Sequence, residues 1–247
     1  MEEKKQEKSQ YSTLVWLLSE PRTRRPRFSR DQITSAALRL ADTEGFDAVT
    51  MKRIASELGS GTMTLYYYMR TKSDLVALMQ DAILAENLLD DAEFTGAWRA
   101  DTIAIARRTR EVLLRHPWSM TALAEAQFGP NAMRHMEQSL AALDGIQATP
   151  EEKLALWATI DAFVFGSALQ AAEITARIRL AEQNPRWASD AVEFAKQQLA
   201  SGKLPRLAAL AEAQEAPSTA STADPLTAAN DQFERGLAAL IDGLVSG

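Results

Sequence analysis

The 247-residue sequence has no cysteine and only two histidines, His116 and His135. The missing thiols exclude a disulfide framework, thiolate metal ligands and a cysteine nucleophile, and they fit a reducing cytoplasm. No HExxH, GxSxG, Walker or GxGxxG pattern occurs, so neither an enzyme nor a bound cofactor or metal is expected. Asp161 and Glu173 stand in apolar surroundings, but two acids without a shared geometry do not make a catalytic pair. Proline (nine) and glycine (eleven) are scarce. With so few helix breakers and so much Ala, Leu, Glu, Gln and Arg, the chain should be all-α. The apolar run at 11–18 is too short for a signal sequence, lacks a small-residue cleavage site and runs into arginines. No other stretch is expected to be long enough to span a membrane.

Charge is unevenly spread. The chain carries a net charge of −6, yet the stretch from Pro21 to Lys72 holds ten basic residues against five acidic ones. A local +5 leaves −11 for the rest. Such an asymmetry suits one part that faces a polyanion and another that does not.

The stretch from Thr50 to Leu75, TMKRIASELGSGTMTLYYYMRTKSDL, is the most informative. Thr50 is placed as an N-cap, Ile54, Ala55 and Leu58 form an apolar stripe, and Gly59 sits where a helix stops by turning left-handed. A second helix over 62–69 should bury Leu65 and leave Thr62, Thr64, Tyr66, Tyr67 and Tyr68 free. Lys52, Arg53, Arg70 and Lys72 flank it. The pattern is a helix-turn-helix whose second helix enters a major groove. Upstream, Ser29 and Gln32 form a capping box, Phe28 and Ile33 a hydrophobic staple, and Ile33, Ala36, Ala37, Leu40 and Ala41 one helical face that ends at Gly45. Thr71 and Asp74 open a fourth helix, running to about Leu89.

From Ser29 to Leu75 the chain resembles the DNA-binding domain of TetR-family transcriptional regulators, including the ELG turn, the T-LYYY recognition helix and the K-DL that opens the next helix. The resemblance implies an N-terminal three-helix helix-turn-helix domain (29–75) and a C-terminal helical ligand-binding and dimerisation domain (76–247). It makes Thr62, Thr64 and Tyr67 candidates for base edges, and Lys52, Tyr66, Tyr68 and Lys72 candidates for phosphates, with Arg53 beside them. Met63 is placed to touch a thymine methyl. The segment 1–28 is expected to be disordered. Its Arg22, Arg24, Arg25 and Arg27 fit an arm lying along DNA, and equally a solubilising tail.

Further helices are expected near 95–115, 119–127, 130–143, 151–180, 187–200 and 230–245, with a mobile loop at about 211–229. The helix from Glu151 has Thr149 as N-cap, Pro150 at its first position and Glu152 at its third. It is apolar nearly all round, and the last helix offers Phe233, Leu237, Leu240, Ile241 and Leu244 as a stripe. By the resemblance, these two helices form a four-helix bundle across a homodimer, and the fourth helix moves when ligand binds. His116, Trp118, Phe128, Asn131, Met133, Trp157 and Gln170 are candidate ligand-lining residues, although each also fits plain core packing. The expected function is a cytoplasmic repressor that binds a palindromic DNA operator as a dimer and is released by a small molecule. The alternative is a helical small-molecule-binding protein that has lost specific DNA readout.

Overall fold

The computed structural model describes residues 14–18, 28–122, 128–215 and 224–243. They form an all-α structure with ten α-helices and no strand among the described residues. Two compact units divide the chain, Met1–Ala158 and Thr159–Gly247.

The first unit starts with a 3-10 turn, Val15–Leu17, whose Val15 is fully buried in the core. Helix α1 (Arg30–Glu44) carries the expected capping box: Gln32 N donates to Ser29 Oγ, and Ser29 N donates to Gln32 Oε1. Gly45 closes it at φ +88°, a conformation that glycine adopts without a Cβ penalty. Helix α2 (Met51–Glu57) is capped by Thr50, whose hydroxyl accepts from Arg53 N. Gly59 follows at φ +60°, the predicted left-handed stop.

Helix α3 is shorter than the sequence suggested. It covers Thr62–Leu65, and the chain continues through turn bonds from Tyr68 N to Leu65 O and Met69 N to Leu65 O. No side chain caps its start at Gly61, and threonine and tyrosine hold a helix weakly. Helix α4 (Lys72–Glu86) regains strength from a Thr71–Asp74 capping box. It ends three residues before the expected Leu89, with Asn87 as C-cap. Ile33, Leu40, Ile54, Leu65, Met69, Leu75 and Met79 are the large buried side chains that bind α1 to α4 into one core.

Helices α5 (Trp98–Arg115) and α6 (Pro130–Ala142) also belong to this unit, with a 3-10 turn at Pro117–Met120 after α5. Asp101 fixes the entry to α5 by accepting from Thr95 N, Thr95 Oγ1 and Gly96 N. Burial pushes its carboxyl up, but these hydrogen bonds prevail and hold it below the usual carboxylate range. The helix expected at 119–127 appears only as that 3-10 turn, and 123–127 lie outside the described residues.

Helix α7 (Pro150–Gln183) is a single 34-residue helix that opens in the first unit and continues through the second. Thr149 and Glu152 cap it reciprocally, as expected. One expectation needs correction: α7 contains an 18-residue window of mean hydropathy 1.4, long and apolar enough to cross a bilayer. Charged residues at both ends of the helix interrupt the apolar run.

In the second unit α8 (Pro185–Ala200) and α9 (Pro205–Glu215) pack on each other and leave Trp187, Phe194, Leu207 and Leu210 exposed. Helix α10 (Pro225–Gly243) stacks Phe233 on Phe163 of α7, with ring centroids 5.8 Å apart. The loop expected at 211–229 is helical up to Glu215 and again from Pro225, since Ala and Leu outweigh the Ser and Thr there. Its centre, 216–223, lies outside the described residues.

Candidate nucleic-acid interface

The helical period of α3 and the turn that continues it divides the side chains of 62–69. Leu65, Tyr68 and Met69, at i, i+3 and i+4, point inward and are 0%, 4% and 0% exposed. Tyr67 and Met63, on the other face, are 73% and 69% exposed, and Tyr66 is 42% exposed. Thr62 and Thr64 are half-buried at its edge. Tyr68 is therefore a correction to the expected phosphate set. Its ring is core, its hydroxyl accepts from Phe28 N at 3.2 Å, and its carbonyl accepts from Arg30 Nε at 2.9 Å.

The four flanking cations differ in their surroundings. Lys52 and Arg70 are exposed. Arg53 is held by Glu44 at 2.6 Å, which engages its guanidinium on the protein itself. Lys72, also exposed, is the first residue of α4 and places Nζ 5.2 Å from the centroid of the Phe46 ring. A helix N-terminus attracts anions, so a cation there suits a phosphate nearby better than an isolated fold. Arg22, Arg24, Arg25 and Arg27 lie outside the described residues.

The expected ligand-lining residues are not gathered in one place. His116 is buried, with Nδ1 2.7 Å from Asp42 Oδ1 and Nε2 3.3 Å from Glu86 Oε1. Trp118 donates Nε1–H to the same Asp42 oxygen at 2.8 Å and stacks on Phe46, centroids 5.5 Å apart and planes 1° from parallel. Asn131 is engaged by Asp81 on α4: its Nδ2 donates to Oδ2, while Asn131 N and Ala132 N donate to Oδ1. Burial raises the Asp81 carboxyl above its usual range, against the lowering effect of those bonds. Phe128 and Met133 are exposed, and Trp157 is half-buried. Gln170 belongs to the second unit, where it lines a cleft of about 250 Å³ between α7 and α10 with Ala162, Gly166, Ser167 and Gln232. His116, Trp118 and Asn131 are thus spent on interhelix bonds. Phe46 is expected from sequence as core beneath the helix-turn-helix and packs there, whereas Asp42, Asp81 and Glu86 were not singled out from sequence. No local pattern marks them, because each bond joins residues at least 29 positions apart.

The stripe expected on the last helix packs within the protomer. Phe233, Leu237 and Ile241 are buried within the protomer, Leu240 is half-buried, and Leu244 lies outside the described residues. Gly236 is needed there, since a Cβ would meet the Phe163 ring at 2.6 Å.

A helix-turn-helix with an outward tyrosine and threonine face, joined to a helical domain, defines a DNA-binding regulator. Residues 33–79 match the family described as bacterial regulatory proteins, tetR family, and residues 91–246 match the tetracyclin repressor-like C-terminal domain. The chain belongs to the TetR family of transcriptional repressors, with a DNA-binding and a ligand-binding domain, and is a regulator and not an enzyme. The HTH-type transcriptional repressor DrrR1 of Streptomyces coeruleorubidus is 34% identical over 226 residues, 89% of this chain and 78% of the relative. Among solved structures, the TetR family protein ActR of Streptomyces coelicolor, in complex with (S)-DNPA, is 26% identical with a TM-score of 0.67, over 90% of this chain and 99% of that one. BioQ of Mycobacterium smegmatis shares the fold at 20% identity and a TM-score of 0.56, over 89% of this chain and 99% of that one.

Proposed function

We propose that the protein is a ligand-responsive repressor that binds a palindromic DNA operator as a homodimer and leaves it when a small molecule binds. The observation that carries this reading is the outward face of α3, where Met63, Tyr66 and Tyr67 stand exposed between the exposed Lys52 and Lys72. Thr62, Thr64 and Tyr67 read base edges, Met63 meets a thymine methyl, and Lys52, Tyr66 and Lys72 hold phosphates. Arg22, Arg24, Arg25 and Arg27 add phosphate contacts beside them. Because Val15 is buried, replacing those arginines by glutamine isolates their charge, whereas deleting 1–27 would also remove a core side chain.

Two recognition helices must be related by a two-fold axis to read a palindrome. The cleft between α7 and α10 supplies the face: Ala162, Gly166 and Ser167 are small, and nothing lies within 4 Å of a Cβ built on Gly166. A dimer helix also accounts for the apolar length of α7, which then meets protein and no membrane, and the repressor acts in the cytoplasm. ActR has been solved with (S)-DNPA and with actinorhodin, which supports a small organic inducer for this C-terminal domain. That inducer must bind the released conformation better than the DNA-bound one. The test is selection of genomic fragments by the purified protein at low and at about 150 mM salt. A palindromic site that survives the higher salt is expected; binding that vanishes without any shared motif would reduce the interaction to phosphate attraction.

A further inference from the structure

Trp118 belongs to the region matched by the ligand-binding domain, yet its ring lies on Phe46, between α1 and α2 of the DNA-binding domain. Its position is fixed twice: Nε1–H donates to Asp42 at the end of α1, and Pro117 and Met120 bound its 3-10 turn directly after α5. Asp42 receives His116 as well, so one carboxylate ties two residues of the α5 exit to α1. Phe46 in turn is the ring over which Lys72 places its ammonium, 5.2 Å from the centroid.

A free lysine has four rotatable side-chain bonds, and ordering it against a phosphate costs conformational entropy. A ring face that attracts the ammonium holds it near its bound position before DNA arrives. The ring does so only while it is held itself, and the flat surface that holds it is Trp118. A chain of contact therefore runs from the exit of α5 through Trp118 and Phe46 to a cation at the DNA surface.

We infer that Trp118 is a positioning residue for DNA binding, acting through Phe46 to hold Lys72 in place for a phosphate. The inference rests on the proposed reading of Lys72 as a phosphate contact. Any ligand that shifts the α5 exit withdraws Trp118 from Phe46 and loosens Lys72, so the state of the C-terminal domain reaches the DNA surface by this stack.

The test uses full-length protein and one duplex carrying the palindrome that the protein selects from genomic fragments. Affinity is measured across a range of salt for the wild type, Lys72→Ala, Trp118→Leu, Phe46→Leu, and each of the latter two combined with Lys72→Ala. Lys72→Ala should lower the salt slope by about one unit. Trp118→Leu and Phe46→Leu should each weaken binding about two- to fivefold and lower the slope in the same direction. In the Lys72→Ala background both should add almost nothing, because the lysine they act through is gone. If both variants weaken binding equally in the two backgrounds with the slope unmoved, the stack serves folding alone and the inference fails. Should Trp118→Leu not fold, Phe46→Leu decides by the same two readouts. A wild type that selects no palindrome overturns the proposed function itself. A palindrome bound with an unchanged slope in Lys72→Ala overturns only the role of Lys72 and this inference.

Discussion

Of the three consecutive tyrosines that follow Leu65, one hydroxyl has a structural task, and another has no hydrogen-bond partner among the described residues. Tyr68 accepts from Phe28 N, whereas Tyr67 is 73% exposed. Tyr68→Phe should cost about 1 kcal/mol in urea unfolding, since it removes the hydrogen bond that Phe28 N donates to it. Tyr67→Phe should leave stability unchanged and weaken DNA binding. The converse pattern would mean that the inward and outward faces are misassigned. His135 makes a second test at this scale. Burial lowers its pKa from the ordinary value of 6.5, and its Nδ1 has no hydrogen-bond partner among the described residues. The folded state therefore binds the proton less well than the unfolded chain. Stability contributed by neutral His135 is complete above the unfolded value and falls as pH drops from about 6.5 towards the lowered one. His135→Gln should be less pH-dependent than the wild type between pH 7.5 and 5.5; identical slopes in urea midpoints would contradict the assignment.

At the scale of elements, the helix starts were readable in the sequence because a cap is a local device. Ser29 with Gln32, Thr50, Thr71 with Asp74, and Thr149 with Glu152 each bind a backbone group three residues away. The ends of α3 and α4 and the helix α9 were not readable, since propensity and composition leave such boundaries open to tertiary packing. Tyr68 was legible in principle, standing three residues from Leu65, but a run of identical aromatics hides the period. Joints between helices escape sequence altogether. The clearest is Asp81 on α4, which accepts the first free N–H groups of α6 from Asn131 and Ala132. The loop before α6 closes so tightly on it that a Cβ on Gly129 would stand 2.2 Å from Asp81 Oδ1. Asp81→Ala should cost about 1–3 kcal/mol, the range for leaving buried donors unpaired. A loss within 0.5 kcal/mol, taken as the ordinary scatter of surface changes, would show that these hydrogen bonds contribute little to stability.

For the whole molecule, the sequence signalled two apolar helices near the C-terminus but not which side faces a partner. A stripe that is apolar in both directions looks the same whether it serves the protomer or a dimer. Leu237 is 1% exposed inside the protomer, while Gly166 opens onto the α7–α10 cleft, the face proposed above for a second copy. Gly166→Glu should yield folded monomers in sedimentation, and Leu237→Glu should unfold the protein. A dimer that survives Gly166→Glu would place the two-fold axis elsewhere. Dimerisation matters because two copies of α3 are needed to span a palindrome. The most direct measurement is therefore affinity for the selected palindrome against the same duplex with one half-site scrambled, at about 150 mM salt. Two coupled recognition helices predict a loss of about 1,000-fold or more. Equal affinity for both duplexes would contradict specific dimeric readout and leave only attraction to the phosphate backbone.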